Sequence, residues 1–99
     1  MMIARVIGTL VSTQKEPTLE GLRLLVCQPL NAEGDKAGAA LVAADAVGAG
    51  VGEVILYATG SSARQTIATQ NRPVDAVVMA IVDHWEVGGE VKYRKSDDA

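Results

Sequence analysis

Residues 48–59 read GAGVGEVILYAT, and whether these glycines cradle a phosphate or turn one strand into the next decides the fold. A dinucleotide-binding loop needs a third glycine three residues beyond the second, followed by a helix whose N-terminus faces the pyrophosphate. Here that position is Glu53, and the following EVILYAT has the β-branched and aromatic character of a strand. No Gly-Lys-Ser or Gly-Lys-Thr closes the loop either. Gly48, Gly50 and Gly52 are therefore expected as turn glycines, at positions where φ is positive or a Cβ has no room.

Outward from this turn the chain reads as short strands. Upstream lie a β-branched run from Ile3 to Thr13, a second strand from about Leu22 to Gln28, and a third from Ala39 to Ala44, with Pro17 and the polar NAEGDKAG between them. Downstream, Ser62 followed three residues later by Gln65 matches a capping box, which predicts a short helix over about Ser62 to Ala68. The longest β run, VDAVVMAIVDHWEV, meets EVKYR across Gly88 and Gly89, a hairpin signal because both central positions of the favoured turn want positive φ. These elements predict a mainly β chain: one domain over residues 1–99, built as a small closed five-stranded barrel of the oligonucleotide-binding type or a near relative. It carries one short helix, a C-terminal hairpin, and a charged tail frayed over residues 96–99.

Composition narrows function. Nine Lys and Arg against 12 Asp and Glu leave a net charge of −3, so the positive field that nucleic acid or an anionic membrane surface rewards is lacking. The N-terminal apolar stretch is shorter and more polar than a membrane span. Cys27 is the single cysteine, inside LRLLVCQPL, and reads as a small buried hydrophobe in a reducing, cytosolic setting. Phe is absent and the aromatics are only Tyr57, Trp85 and Tyr93, so the core must be aliphatic.

No catalytic, cofactor or metal site is expected. His84 and Asp83 are neighbours on a strand and point to opposite faces. Nothing places Asp45, Asp75 and Asp83 together, and one Cys with one His builds no zinc site. The start of the SSARQT helix, beside Arg64, offers an anion site only if its capping box leaves N–H groups unsatisfied.

The strand from Val74 to Trp85 is apolar at both parities. Even positions hold Val74, Ala76, Val78, Ala80 and Val82, and odd ones Val77, Met79 and Ile81. Strand one repeats the pattern, with Ile3, Ile7 and Val11 against Ala4, Val6 and Leu10. A small barrel needs one buried face, and a single short helix covers little. Another chain is the expected cover of the outer faces.

The blocks IARVIGTLVSTQKEPTLEGLRLLV, AADAVGAGVGEVIL, GSSAR and RPVDAVVMAIVD, in this order and spacing over about residues 2–95, resemble the EutN/CcmL family of bacterial microcompartment vertex proteins. The resemblance implies a non-enzymatic barrel, cytoplasmic within a microcompartment shell. It implies homopentamers that cap fivefold vertices among hexameric shell proteins, with no cofactor, nucleic acid or membrane partner. The family's motifs fall on Val47–Gly50, Gly60–Arg64, Pro73–Asp75 and Ile81–Asp83. On that footing Gly60, Ser61 and Ser62 are expected to line a pore at the ring axis. Val78, Ile81, Asp83 and Arg64 are expected at the subunit interface, and Arg72, Lys92 and Arg94 at a charged rim. The alternative is a nucleic-acid- or ligand-binding module on the same barrel, which would use a basic groove with stacked aromatics.

Overall fold

The computed structural model describes residues 1–97. Five strands, β1 (Met2–Leu10), β2 (Leu24–Pro29), β3 (Leu41–Asp45), β4 (Val54–Thr59) and β5 (Ala76–Ile81), close a barrel in the order β1-β2-β3-β5-β4, with β4 returning to pair with β1. Every pairing is antiparallel except the short parallel match of Ala44 with Val77 and Asp45 with Val78. The chain then leaves the barrel. β6 (His84–Val87) and β7 (Glu90–Arg94) form a separate two-stranded sheet, turned by Gly88 and Gly89 at φ 60° and 82°.

The expected run from Val74 to Val87 is thus two strands rather than one. Val82 donates its N–H to the Val54 carbonyl at 2.8 Å, and the Asp83 carbonyl accepts from the Lys95 N–H at 2.7 Å, so the crossing point is pinned from both sides. Lys95–Asp97 forms a 3₁₀ turn at the start of the tail; positions 98 and 99 of the expected frayed segment lie outside the described residues.

Inside the barrel sit Ala4, Val6, Leu25, Cys27, Ala43, Ala49, Ile55, Tyr57, Ala76 and Val78, with Leu41 and Ile81 half-buried against them. Five strands enclose little volume, which is why four of these are alanines and only Tyr57 is aromatic. Two bulges break simple parity. On β1, Val6 faces Cys27 and Gly8 faces Val26, leaving Ile7 unmatched. On β5, Val78 faces Tyr57 and Ala80 faces Leu56, leaving Met79 unmatched. The extra residue on β5 resets the alternation, so Val78 and Ile81 both point inward instead of to opposite faces.

The outer face of β3, β4 and β5 is covered by the chain itself. Ala44, Ala58 and Val77 bury against Ala63, with Leu22, Leu24, Val74 and Met79 around them. The cover is the segment between β4 and β5, which begins as a 3₁₀ helix over Gly60–Arg64. The predicted helix to Ala68 and its capping box do not form. Thr59 holds the cap position without a side-chain bond, and the Gln65 N–H simply closes on the Ser62 carbonyl at 3.3 Å. Beyond it, the Thr66 hydroxyl accepts the Thr69 N–H at 3.0 Å and pairs with the Thr69 hydroxyl at 2.6 Å, a local turn that competes with helix. This part of the outer face therefore needs no other chain to cover it, while Ile7 on β1 and Val42 on β3 stay exposed.

Candidate functional site

The glycine loop is occupied by the chain's own carboxylates. One oxygen of Asp45 accepts the N–H groups of Val47, Gly48 and Ala49 at 3.0, 3.1 and 3.3 Å, and the other takes the Arg23 guanidinium at 2.6 Å. Glu53 accepts the Gly50 N–H at 2.6 Å with one oxygen and the Lys95 ammonium at 2.6 Å with the other. The donors that a phosphate would need are already engaged. Gly48 and Gly52 have φ of 79° and 94°, whereas Gly50 does not; a Cβ at Gly50 would instead meet the Glu53 carboxylate at 3.4 Å.

Electrostatics agree with this tethering role. Burial pushes the Asp45 carboxyl up, but the Val47 and Ala49 N–H groups, Arg23 and the Gly48 N–H outweigh it and hold the group below the usual carboxylate range. The Lys95 ammonium, then the Gly50 N–H, hold Glu53 low as well, against a smaller upward push from burial. Burial, aided by the Asp45 charge, raises the Cys27 thiol, which suits a packed side chain rather than a nucleophile.

His84 is exposed on β6 opposite Arg94, and Asp83 is exposed at the crossing point. Among the described residues no buried side-chain polar atom lacks a partner, no group of three His, Cys, Asp or Glu gathers, and no helix is long and apolar enough to cross a membrane. The Gly60 N–H is bonded to the Asp75 carbonyl at 2.9 Å, and five residues of 3₁₀ helix converge no anion site.

Gly60, Ser61 and Ser62 are exposed at the outer corner of the segment, while Ala63 anchors it and Arg64 reaches the Val74 carbonyl at 3.4 Å. Val78 is wholly enclosed in the barrel and Ile81 is half-buried beside it, so packing accounts for both side chains. The rim cations differ. Arg72 is half-buried and donates to the Thr18 and Glu20 carbonyls, Lys92 pairs with Glu33 at 2.7 Å and Glu90 at 3.2 Å, and Arg94 is exposed.

Exposed apolar side chains include a pair at each end of β1, besides Ile7, Val42 and others along the chain. Met1 and Met2 are 75% and 43% exposed at one end, and Leu10 and Val11 are 38% and 87% exposed at the other. Each end borders a hollow of about 400 Å³. One is lined by Leu10, Val11, Leu22 and Leu24 with Lys15 and Arg23. The other is lined by Met1, Ala58, Thr59, Ser62, Gln65 and Met79. Parity counting named Leu10, Val11 and Met79 but not Met1 or Met2, which precede the run it began at Ile3.

Known proteins share this whole arrangement. Residues 1–83 match the family model described as ethanolamine utilisation protein EutN/carboxysome, a match that stops at the foot of the β6–β7 hairpin. The carboxysome shell vertex protein CcmL of Gloeobacter violaceus is 45% identical over 97 residues, covering 98% of this chain and 97% of that protein. The structure of Gloeobacter violaceus CcmL superposes with a TM-score of 0.93 over 98% of this chain and 100% of that one. The shell vertex protein EutN of Salmonella typhimurium is 40% identical over 96% of both chains. GrpN of Rhodospirillum rubrum, a pentameric microcompartment shell protein, superposes with a TM-score of 0.80 at 42% identity, over 88% of this chain and 99% of its own.

Proposed function

The chain belongs to the EutN/CcmL family, and from that premise we propose that it forms a homopentamer capping the fivefold vertices of a bacterial microcompartment shell in the cytoplasm. It is a structural protein and not an enzyme. Hexameric shell proteins would surround the ring. Five copies related by 72° close on themselves, and one such ring set among sixfold tiles obliges a flat sheet to curve shut.

The observation that carries this reading is the correspondence with vertex proteins along nearly the full chain, at 45% identity and a TM-score of 0.93. A barrel that leaves clustered apolar side chains exposed at two places supports it, since such clusters mark contact surfaces. The Gly60–Ser62 corner is the proposed lining of the axial opening, and Arg64 and Asp83, both exposed, are proposed at the contact between copies. Ile81, half-buried, would add to that contact at its margin.

Native mass spectrometry tests the proposal directly. The expected species is five times the 10.3 kDa chain, about 52 kDa. A single chain persisting at high micromolar concentration would overturn it.

A further inference from the structure

We propose that the solvent face of the β6–β7 hairpin docks a partner protein through one carboxylate, an aspartate or glutamate side chain seated against Arg94 and His84. The hairpin lies beyond the stretch that the family model matches. The site is separate from the ring contact, at which Asp83 but not Arg94 is proposed.

The register of the hairpin builds the site. Trp85 faces Tyr93, and this pair turns toward the barrel, where the Trp85 indole N–H reaches the Ala32 carbonyl at 2.8 Å and Tyr93 is buried. One residue along each strand, His84 faces Arg94, so alternation turns both to the opposite, solvent side. Both are exposed. Directly opposed side chains stand about 5 Å apart at Cβ, close enough for both to touch one small group. With Asp83, Lys95 and Ser96 they line a hollow of about 440 Å³. Arg94 also borders a second, of about 340 Å³, whose lining includes Lys92 and Asp97.

Arg94 is the arginine that the fold leaves unspent. Among the described residues Arg5, Arg23, Arg64 and Arg72 each donate to an oxygen of the chain, whereas the Arg94 side chain has no hydrogen bond or ion pair. Its cationic neighbours are taken as well, Lys92 by Glu33 and Glu90, and Lys95 by Glu53. Charge then selects the occupant. A planar guanidinium meets a carboxylate with two parallel N–H bonds, while His84 offers a ring N–H whether neutral or cationic and Ser96 offers a hydroxyl. Asp83 in one hollow and Asp97 in the other repel further negative charge, which disfavours phosphate, nucleic acid or a run of acidic residues. An exposed ion pair is weak in water, so a free carboxylate would scarcely be held. A partner surface that fills the hollows excludes water and strengthens the same bond.

An acidic peptide, titrated into the isotope-labelled full chain and followed by NMR, tests the site. Acetyl-Gly-Asp-Gly-amide is expected to shift the Arg94 Nε–H and the His84 and Ser96 amide signals saturably. Its Asn counterpart should bind roughly fivefold more weakly, the upper end for an exposed pair. Arg94→Gln is expected to remove that preference, with Arg94→Ala in reserve should the first variant fail to fold by circular dichroism. Lys15→Gln, which changes net charge equally but lines neither hollow, should keep it. Acetate and inorganic phosphate should both bind more weakly than the Asp peptide. Equal binding of the Asp and Asn peptides, a preference that survives Arg94→Gln, or one lost with Lys15→Gln would overturn the proposal. Tighter binding of phosphate would overturn the choice of a carboxylate, and acetate matching the peptide would overturn the partner in favour of a free ion. By native mass Arg94→Gln should keep the parent's assembly state. A smaller species would put Arg94 in the contact between copies and overturn the docking role, whereas a parent chain that is itself monomeric would overturn the ring and not this site.

Discussion

The barrel and the β6–β7 hairpin are held by different physics. The barrel closes on itself around ten buried side chains, nine of them without an aromatic ring. The hairpin has no enclosed interior. It rests on Trp85 stacked against Tyr93 at 5.3 Å, the Trp85 indole N–H bonded to the Ala32 carbonyl at 2.8 Å, Arg5 over the Tyr93 ring at 5.7 Å, and the pairs Lys92–Glu33 and Lys95–Glu53. Two of the three aromatic residues are spent on this appendage. Burial of aliphatic surface responds little to salt and pH, whereas exposed ion pairs and single hydrogen bonds respond to both. One region should therefore melt as a unit and the other open locally.

The sharpest way to break this contrast is to charge the barrel. Val78→Asp places a carboxylate where no partner exists and water is excluded, a penalty on the order of 4–6 kcal/mol once the usual shift for a buried acid is converted. Thermal denaturation is expected to show no folded barrel at neutral pH, and a melt near that of the parent would mean that the interior is wet.

On the hairpin the largest change is Trp85→Ala, which removes the stack and the bond to Ala32, about 2–3 kcal/mol of local stability. Hydrogen exchange should quicken in β6 and β7 while the β2 and β4 amides stay protected. Equal loss of protection in both regions would show that the hairpin and barrel fold as one. Gly89→Ala is the milder version. Nothing lies within 4 Å of the added methyl, so the cost, about 1–2 kcal/mol, comes from φ of 82° alone and should again be confined to the hairpin's exchange rates.

The smallest effect is expected where the two regions are tied. Glu53→Gln removes the Lys95 partner but keeps an acceptor for the Gly50 N–H. Because Asp45 and Glu53 are held below the usual carboxylate range, each takes up a proton more readily in the unfolded chain. The stability they lend is complete at neutral pH and is lost as the pH falls below about 4. Lys95, held above the usual ammonium range, lends its share at neutral pH and loses it only in strong alkali. Melts recorded from pH 7 to pH 3 should fall less steeply for Glu53→Gln than for the parent, and the difference should shrink in high salt. Parallel curves would remove Glu53 from the account.

Much of the fold was legible because it is written in local chemistry. Two adjacent glycines between alternating runs specify one turn, and the missing third glycine with a strand behind it separates Gly48–Glu53 from a phosphate loop. The barrel class followed from strand spacing. What escaped reading depends on residues distant in sequence or on a single inserted one. Met79 reverses the alternation of β5, and nothing in AVVMAI marks it as the extra residue. Arg23 meets Asp45 and Lys95 meets Glu53 only after the strands pair. The Ser62–Gln65 signature was overruled by two threonines just downstream. The outer cover was underestimated because alanines on both sides let a short segment approach closely, so Ala63 accomplishes what bulk was expected to require. The contact surface was read chiefly on β5, whose Val78 lies inside the barrel, whereas exposed apolar residues include Met1, Met2, Ile7, Leu10 and Val11 along β1 and Val42 on β3.

A closed barrel leaves no unpaired rung of backbone for a stray strand to zip onto, but a two-stranded ribbon has two. In this chain the ribbon carries an unmatched residue at Lys92, set by Trp85 facing Tyr93 and Glu86 facing Val91, and charges at Glu86, Glu90, Lys92 and Arg94 along its length. A kinked, charged margin is a poor template for fibril growth. At the crowding a closed shell imposes on its own building blocks, that irregularity guards against runaway sheet stacking.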